Sequence, residues 1–181
     1  MEKTNIISSD FKCGNNFKIG HFCVIGERVI IGNNVTIENS CVIAPNVVIG
    51  DNTIIKSHVE LRENTIIGEN CFIDSKVSSS GNCKIGNNVI LRYDTIIARG
   101  VEIGDNTYVC PRVMTNNLDT AQKQIGGAKI GKNCFIGTNA VIQHGITIAD
   151  KVTVGSMSFV NKSILEESSV YVGIPAKKIE K

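Results

Sequence analysis

From Ile7 onward an aliphatic residue returns at every sixth position, and few folds can absorb that beat. Over the 18 hexads spanning residues 7–114, only Cys13 and Ser79 at this first position are not Ile, Leu or Val. The fifth position runs Phe11, Phe17, Cys23, Val29, Val35, Cys41 and stays small or β-branched thereafter. Alternation along the fifth, sixth and next first positions gives a three-residue strand whose outer two side chains point inward and whose middle one points outward. The second to fourth positions are then corners, and they carry turn chemistry: Gly at 14, 20, 26, 32, 50, 68, 86 and 104, Asn15-Asn16, Asn33-Asn34, Asp51-Asn52, Asp105-Asn106, Pro45 and Pro111. A side this short cannot pair with itself, so the next coil, about 4.8 Å along the axis, must meet its backbone groups. With three sides to a coil, the expectation is an all-β parallel solenoid of about eight coils, a single domain over residues 1–181 ending in a short C-terminal cap.

The beat lapses once. It is lost after Met114 and resumes at Ile130, continuing through Ile136, Ile142, Ile148, Val154 and Val160. A repeat of identical turns has no reason to break except to place something irregular, and loops on rigid scaffolds are where function concentrates. Ala128 falls at a fifth position, so the inserted loop narrows to 115–123.

Composition excludes several classes. A formal charge of +2 with 5% aromatic residues offers no basic, stacking stripe for nucleic acid. No run approaches the roughly 18 apolar residues of a membrane span, and no basic segment precedes an apolar one at the start. A cytoplasmic protein is expected. The seven cysteines show no CxxC spacing. Six fall at inward positions as small core residues: Cys13, Cys23, Cys41, Cys71, Cys83 and Cys134. Only Cys110 falls at a corner, where a thiol can react.

Outward sixth positions form three columns with a spacing of 18 residues. One reads Lys18, Thr36, Ile54, Phe72, Ile90, Tyr108, and an apolar stripe of this kind predicts burial against another subunit.

The hexads resemble the [LIV]-[GAED]-x-x-[STAV]-x repeat of the left-handed parallel β-helix acyltransferases, a hexapeptide-repeat family, over residues 7 to 181. The resemblance, and not the pattern itself, implies the handedness, a homotrimer, and acyl-CoA sites between subunits. The segments Ile136-Gly137-Thr138-Asn139-Ala140, Val154-Gly155-Ser156-Met157 and Tyr171-Val172-Gly173-Ile174-Pro175-Ala176-Lys177-Lys178 look like the family's CoA-binding end. Gly137, Ala140 and Ser156 would then line the pantetheine arm, and Lys162, Lys177 and Lys178 would meet the phosphates, as a multiply charged head requires.

The loop separates the activities within that family. Sugar O-acetyltransferases place a catalytic His in a Thr-x-His-Pro segment there, whereas this chain has no His between His58 and His144. Thr115-Asn116-Asn117 instead resembles the Thr-Asn-Asp segment of enzymes that N-acetylate amino sugars carried on nucleotides, and Tyr108-Val109-Cys110-Pro111 resembles the Phe-x-Gly-Pro before it. Asn117 departs from the Asp, and Arg99 stands where an acidic corner residue is often found. The resemblance therefore implies acetyl-CoA as co-substrate, no metal, and a sugar nucleotide as partner.

The chemistry agrees. An alcohol needs a base to become a nucleophile, normally His. An amine is already partly unprotonated near neutrality, so orientation can supply much of the rate. Asn116 and Asn117 are the candidates to hold it, with Asp119 as a proton acceptor. Arg92 and Tyr93, which replace small corner residues about one coil before the loop, are candidate substrate contacts. Three alternatives remain at this point: an O-acetyltransferase using His144, a non-catalytic trimeric scaffold, and a zinc enzyme of the γ-carbonic anhydrase type. The last needs three converging histidines, and His21, His58 and His144 show no short spacing.

Overall fold

A computed structural model describes residues 4–180. Among them the chain forms three parallel sheets, of nine, eight and ten strands, that make the faces of a prism. The first face runs from Ile6–Ile7 to Phe159–Val160, the second from Lys12–Cys13 to Thr147–Ile148, and the third begins at Lys18–Ile19. Consecutive strands of a face lie 18 residues apart in register, as Val24 with Val42 and Phe72 with Ile90. There are about nine turns, one more than expected, the ninth formed by Phe159–Val160, the parallel bridge of Ile164 to Ile148, and Val170–Val172. The far end of the third face is closed by a hairpin, Val170–Val172 paired antiparallel with Lys177–Ile179.

The inward positions are the expected ones. Ile25, Ile43, Ile55, Ile73 and Ile97 at the first position and Val29, Val47, Cys41 and Cys83 at the fifth are almost fully buried in one continuous core. Each buried Ile removes apolar surface worth roughly 1.5–3 kcal/mol from water. Coil joins coil through backbone bonds, Val24 N–H to Cys41 C=O at 2.9 Å and Gly26 N–H to Ile43 C=O at 2.8 Å. Cys13 departs from the inward assignment and is exposed, because its coil has none in front of it. Cys110 is buried despite its corner position, and that burial pushes its thiol up, away from reactivity.

The corners divide their work between residue types. The fourth position takes the left-handed conformation, with φ of 56° at Asn34, 57° at Asn52 and 56° at Asn70, which Asn tolerates better than most side chains. The second-position glycines serve a different need. A Cβ on Gly32 would lie 2.2 Å from Asp51 Oδ1 and 2.8 Å from Asp51 N, so close approach of the next coil, rather than turn geometry, demands Gly there.

Candidate functional site

The interruption sits at the edge between the first and second faces. Ile103 pairs with Ile130, 27 residues on instead of 18, so nine residues are extra. Thr115 still belongs to the strand Met114–Thr115 and is buried. Asn116 N–H still reaches Ile142 C=O at 3.0 Å. Beyond it the chain forms a small hairpin, with Leu118 bridged to Gln124. Ile125 N–H donates to Asn117 C=O at 3.0 Å, and Gly145 N–H of the next coil donates to Gly126 C=O at 3.1 Å. The irregular segment is thus 116–126, longer at its far end than the expected 123. Ala128 is fully buried at its fifth position as expected, but the bridge to Leu118 keeps Gln124 outside the coil. Re-entry depends on Gly127, where a Cβ would lie 2.2 Å from Val101 N.

Within the hairpin Asp119 Oδ1 accepts the N–H groups of Ala121 at 2.9 Å and Lys123 at 2.8 Å. Through this one oxygen the carboxylate shapes the loop.

Between the hairpin and the first face lies a cleft of about 320 Å³, lined by Ser80, Ile96, Ala98, Met114, Thr115, Asn116, Asn117 and Leu118. Its floor is apolar, and Asn116 and Asn117 supply amide groups at its wall. Met114 and Leu118, both exposed, had no role in the expectation because their contact depends on how the hairpin leans. Thr115 turns its hydroxyl into the coil junction, where it accepts Ala98 N–H at 2.7 Å and bonds to Ile96 C=O at 3.2 Å. Its signal in sequence is faint: a Thr at a first position otherwise almost wholly aliphatic. A larger trough of about 550 Å³ along the second face contains none of the candidate residues.

His144 stands one coil beyond the loop on the same edge. Its Nε2 lies 3.3 Å from Gln143 Nε2, while its Nδ1 is buried without a partner. Lys162, one coil further, is exposed. Arg99, one coil before the loop, reaches back across Gly81 to place Nη2 2.6 Å from Glu63 Oε1, and it holds that carboxyl below the usual carboxylate range.

The remaining candidates lie on a different edge, between the third and first faces. Arg92 Nε is 3.2 Å from Asp74 Oδ2, and Lys76 Nζ sits 5.4 Å above the Tyr93 ring. Two coils on, Gly137 is buried, and a Cβ there would lie 2.4 Å from Ser156 N, so coil stacking alone requires a glycine. Ala140 is fully buried in the core, with its N–H on Gly137 C=O and its C=O on Met114 N–H. Of this group Ser156 alone is openly exposed. Lys177 and Lys178 are exposed on the closing hairpin, and Lys178 Nζ pairs with Glu166 at 2.6 Å. The chain therefore holds the loop group and the Arg92–Ser156 group apart by the width of the first face, a six-residue side of at most about 20 Å. Among the described residues no group of three His, Cys, Asp or Glu side chains is arranged to hold a metal ion, and the three histidines do not converge.

Comparison with known proteins places this architecture. Residues 25–110 match the profile of the GMPPB C-terminal domain, and residues 127–162 match that of the bacterial transferase hexapeptide (six repeats). No curated protein sequence matches the chain. Among solved structures, the UDP-N-acetylglucosamine O-acyltransferase (LpxA) of Moraxella catarrhalis shares the fold, with TM-score 0.74, 22% identity, and coverage of 97% of this chain and 72% of that one. AntD, an N-acyltransferase from Bacillus cereus solved with dTDP and coenzyme A, gives TM-score 0.61 and 25% identity over 75% of this chain and 83% of its own. A maltose O-acetyltransferase from Clostridium difficile gives TM-score 0.52 and 28% identity over 70% and 68%. Repeat, fold and neighbours together fit a hexapeptide-repeat acyltransferase. The chain is similar both to an N-acyltransferase and to an O-acetyltransferase.

Proposed function

We propose that the protein is an acetyl-CoA-dependent N-acetyltransferase acting on the amino group of a nucleotide-linked amino sugar. The observation that carries this reading is the cleft under the hairpin: Asn116 and Asn117 at its wall, no histidine along its lining, and the nearest loop carboxylate, Asp119, engaged by backbone amides. Such a site can orient a nucleophile, but it has nothing to deprotonate one. An amine suits it, because its free-base fraction attacks the thioester without help. The likeness to AntD, whose structure holds dTDP and coenzyme A, supports both the cofactor and the nucleotide.

The active unit in this reading is a homotrimer. Pantetheine along Gly137 and Ser156, phosphates at Lys162, Lys177 and Lys178, and the acceptor at Asn116 occupy two edges of one prism, so a neighbouring subunit must close the site. The interface is the column of Ile54, Phe72, Ile90 and Tyr108, which Phe135 extends by stacking on Tyr108 with ring centroids 5.7 Å apart. Ala140 contributes by being small rather than by contact.

A second reading, acetylation of a sugar hydroxyl, is favoured by His144, whose buried Nδ1 has no partner beside the loop. Thiol release from acetyl-CoA, measured against nucleotide sugars that differ only in bearing an amine or a hydroxyl, separates the two. The amine panel alone should release thiol. Release with hydroxyl acceptors that is abolished by His144→Gln establishes the second reading, and CoA binding without release to any acceptor leaves a scaffold.

A further inference from the structure

At the coil junctions the second-position N–H typically donates to the first-position C=O one coil on: Gly26 to Ile43 at 2.8 Å, Ser80 to Ile97 at 2.8 Å, Gly104 to Ile130 at 2.8 Å. From Ile25 to Val160, Thr115 is the one first-position residue among those described whose carbonyl receives no such bond. Ala98 N–H, the expected donor, goes to the Thr115 hydroxyl instead. The register records the same release. Ile96 pairs with Met114 alone, whereas the junctions on either side pair two residues each. Thr115 nevertheless borders the cleft while only 3% exposed, and its hydroxyl is committed to the ladder. An acceptor without a donor in a buried position costs stability, so its persistence at the foot of the loop points to an outside donor.

We propose that the Thr115 carbonyl, released from the ladder by Thr115's own hydroxyl, accepts an N–H of the acceptor amine and thereby selects amines over alcohols. This rests on the N-acyl transfer reading above and names the group that enforces it. A neutral amine has two N–H groups and one lone pair, and holding an N–H on the carbonyl turns the lone pair away from it, toward the thioester. Attack forms the C–N bond at the thioester carbon and then breaks the C–S bond. Nitrogen is cationic in between, which strengthens its hydrogen bond to the carbonyl. Its proton passes to the departing thiolate, which leaves an amide and a free thiol. An alcohol at the same place donates its single O–H to a neutral carbonyl too weakly basic to remove it, and it stays unreactive.

The test is the pair Thr115→Val and Thr115→Ser, assayed for thiol release with an amino-sugar nucleotide and for CoA dissociation. Valine removes the hydroxyl and lets Ala98 N–H close the ladder on the carbonyl, as at the aliphatic junctions, so the coil is retained. The expected result is a rise of about tenfold or more in the amine KM for Thr115→Val, the scale of one lost hydrogen bond. CoA dissociation should be unchanged, and Thr115→Ser, which keeps the hydroxyl, should raise the amine KM less than Thr115→Val. A wild-type amine KM in Thr115→Val overturns the proposal, as does equal impairment of both variants. A wild-type protein that releases thiol with no amine overturns the transfer reading itself, and the two failures are thereby distinguished.

Discussion

Asn116 shows how much one residue at the end of a strand can decide. Its N–H remains in the coil ladder while its side chain stands at the cleft, so its position is fixed by the backbone of the next coil. Asn116→Ala should lower turnover with an amine acceptor at least about tenfold, the loss of one well-placed hydrogen bond, and leave CoA affinity as it was; kinetics identical to the wild type would remove it from the site. Gly127 is constrained by sterics instead. Because a Cβ there meets Val101 N at 2.2 Å and Gly100 C at 2.3 Å, Gly127→Ala must displace backbone. We expect a loss of about 1–3 kcal/mol in denaturant unfolding, the range for overpacked sites. At this scale the sequence was legible where one neighbour decides the outcome. A left-handed Asn52 or a buried Ile43 follows from position in the hexad. The release of the Thr115 carbonyl does not, because whether Ala98 N–H takes a carbonyl or a hydroxyl depends on the local geometry of two coils.

The loop hairpin and the coil edges belong to a second scale. Periodicity located the loop because the coil cannot stretch by nine residues without expelling them, yet the beat carries no information on how an expelled segment folds. The hydrogen bonds that Asp119 Oδ1 accepts brace it, a part that the repeat pattern does not foretell. Asp119→Ala should therefore loosen the hairpin and reduce kcat/KM for the amine several-fold while the thermal midpoint of the coil stays put, since the hairpin contributes no core residue; a large fall in that midpoint would show instead that the loop stabilises the coil. The edge carrying Gly137 and Ser156 was also legible as a run of small residues, but the structure supplies a packing reason for Gly137 that needs no ligand.

Across the whole molecule, charge and symmetry set the behaviour. The carboxyls of Glu38, Glu63 and Asp105 are held below the ordinary range by Lys56, Arg99 and Lys132 respectively, and that of Asp51 by hydrogen bonds from Asn33. A depressed folded value stabilises fully above the unfolded value, near 4, and the contribution is lost as pH falls through the lower folded values. Thermal stability should thus hold from neutrality to about pH 5 and decline below about pH 4; a midpoint that rises on acidification contradicts this. The faces are legible from the sequence as columns of 18-residue spacing, but how faces of different copies meet is not, since three columns carry apolar residues. If the column of Phe72 and Ile90 is the interface, Phe72→Glu should reduce the solution mass from three chains to one, as read by light scattering, and an unchanged mass would move the interface elsewhere.

On the N-acetyl transfer reading, the acceptor brings its own nucleophilicity and the protein supplies position. The most direct measurement is the pH dependence of kcat/KM for thiol release with two amine acceptors of different basicity, in the wild type and in His144→Gln. The expected result is a rise with pH that levels off at the acceptor's own pKa, shifts when the acceptor is changed, and is the same in both proteins. A plateau that stays in place when the acceptor is changed, and disappears in His144→Gln, would contradict it.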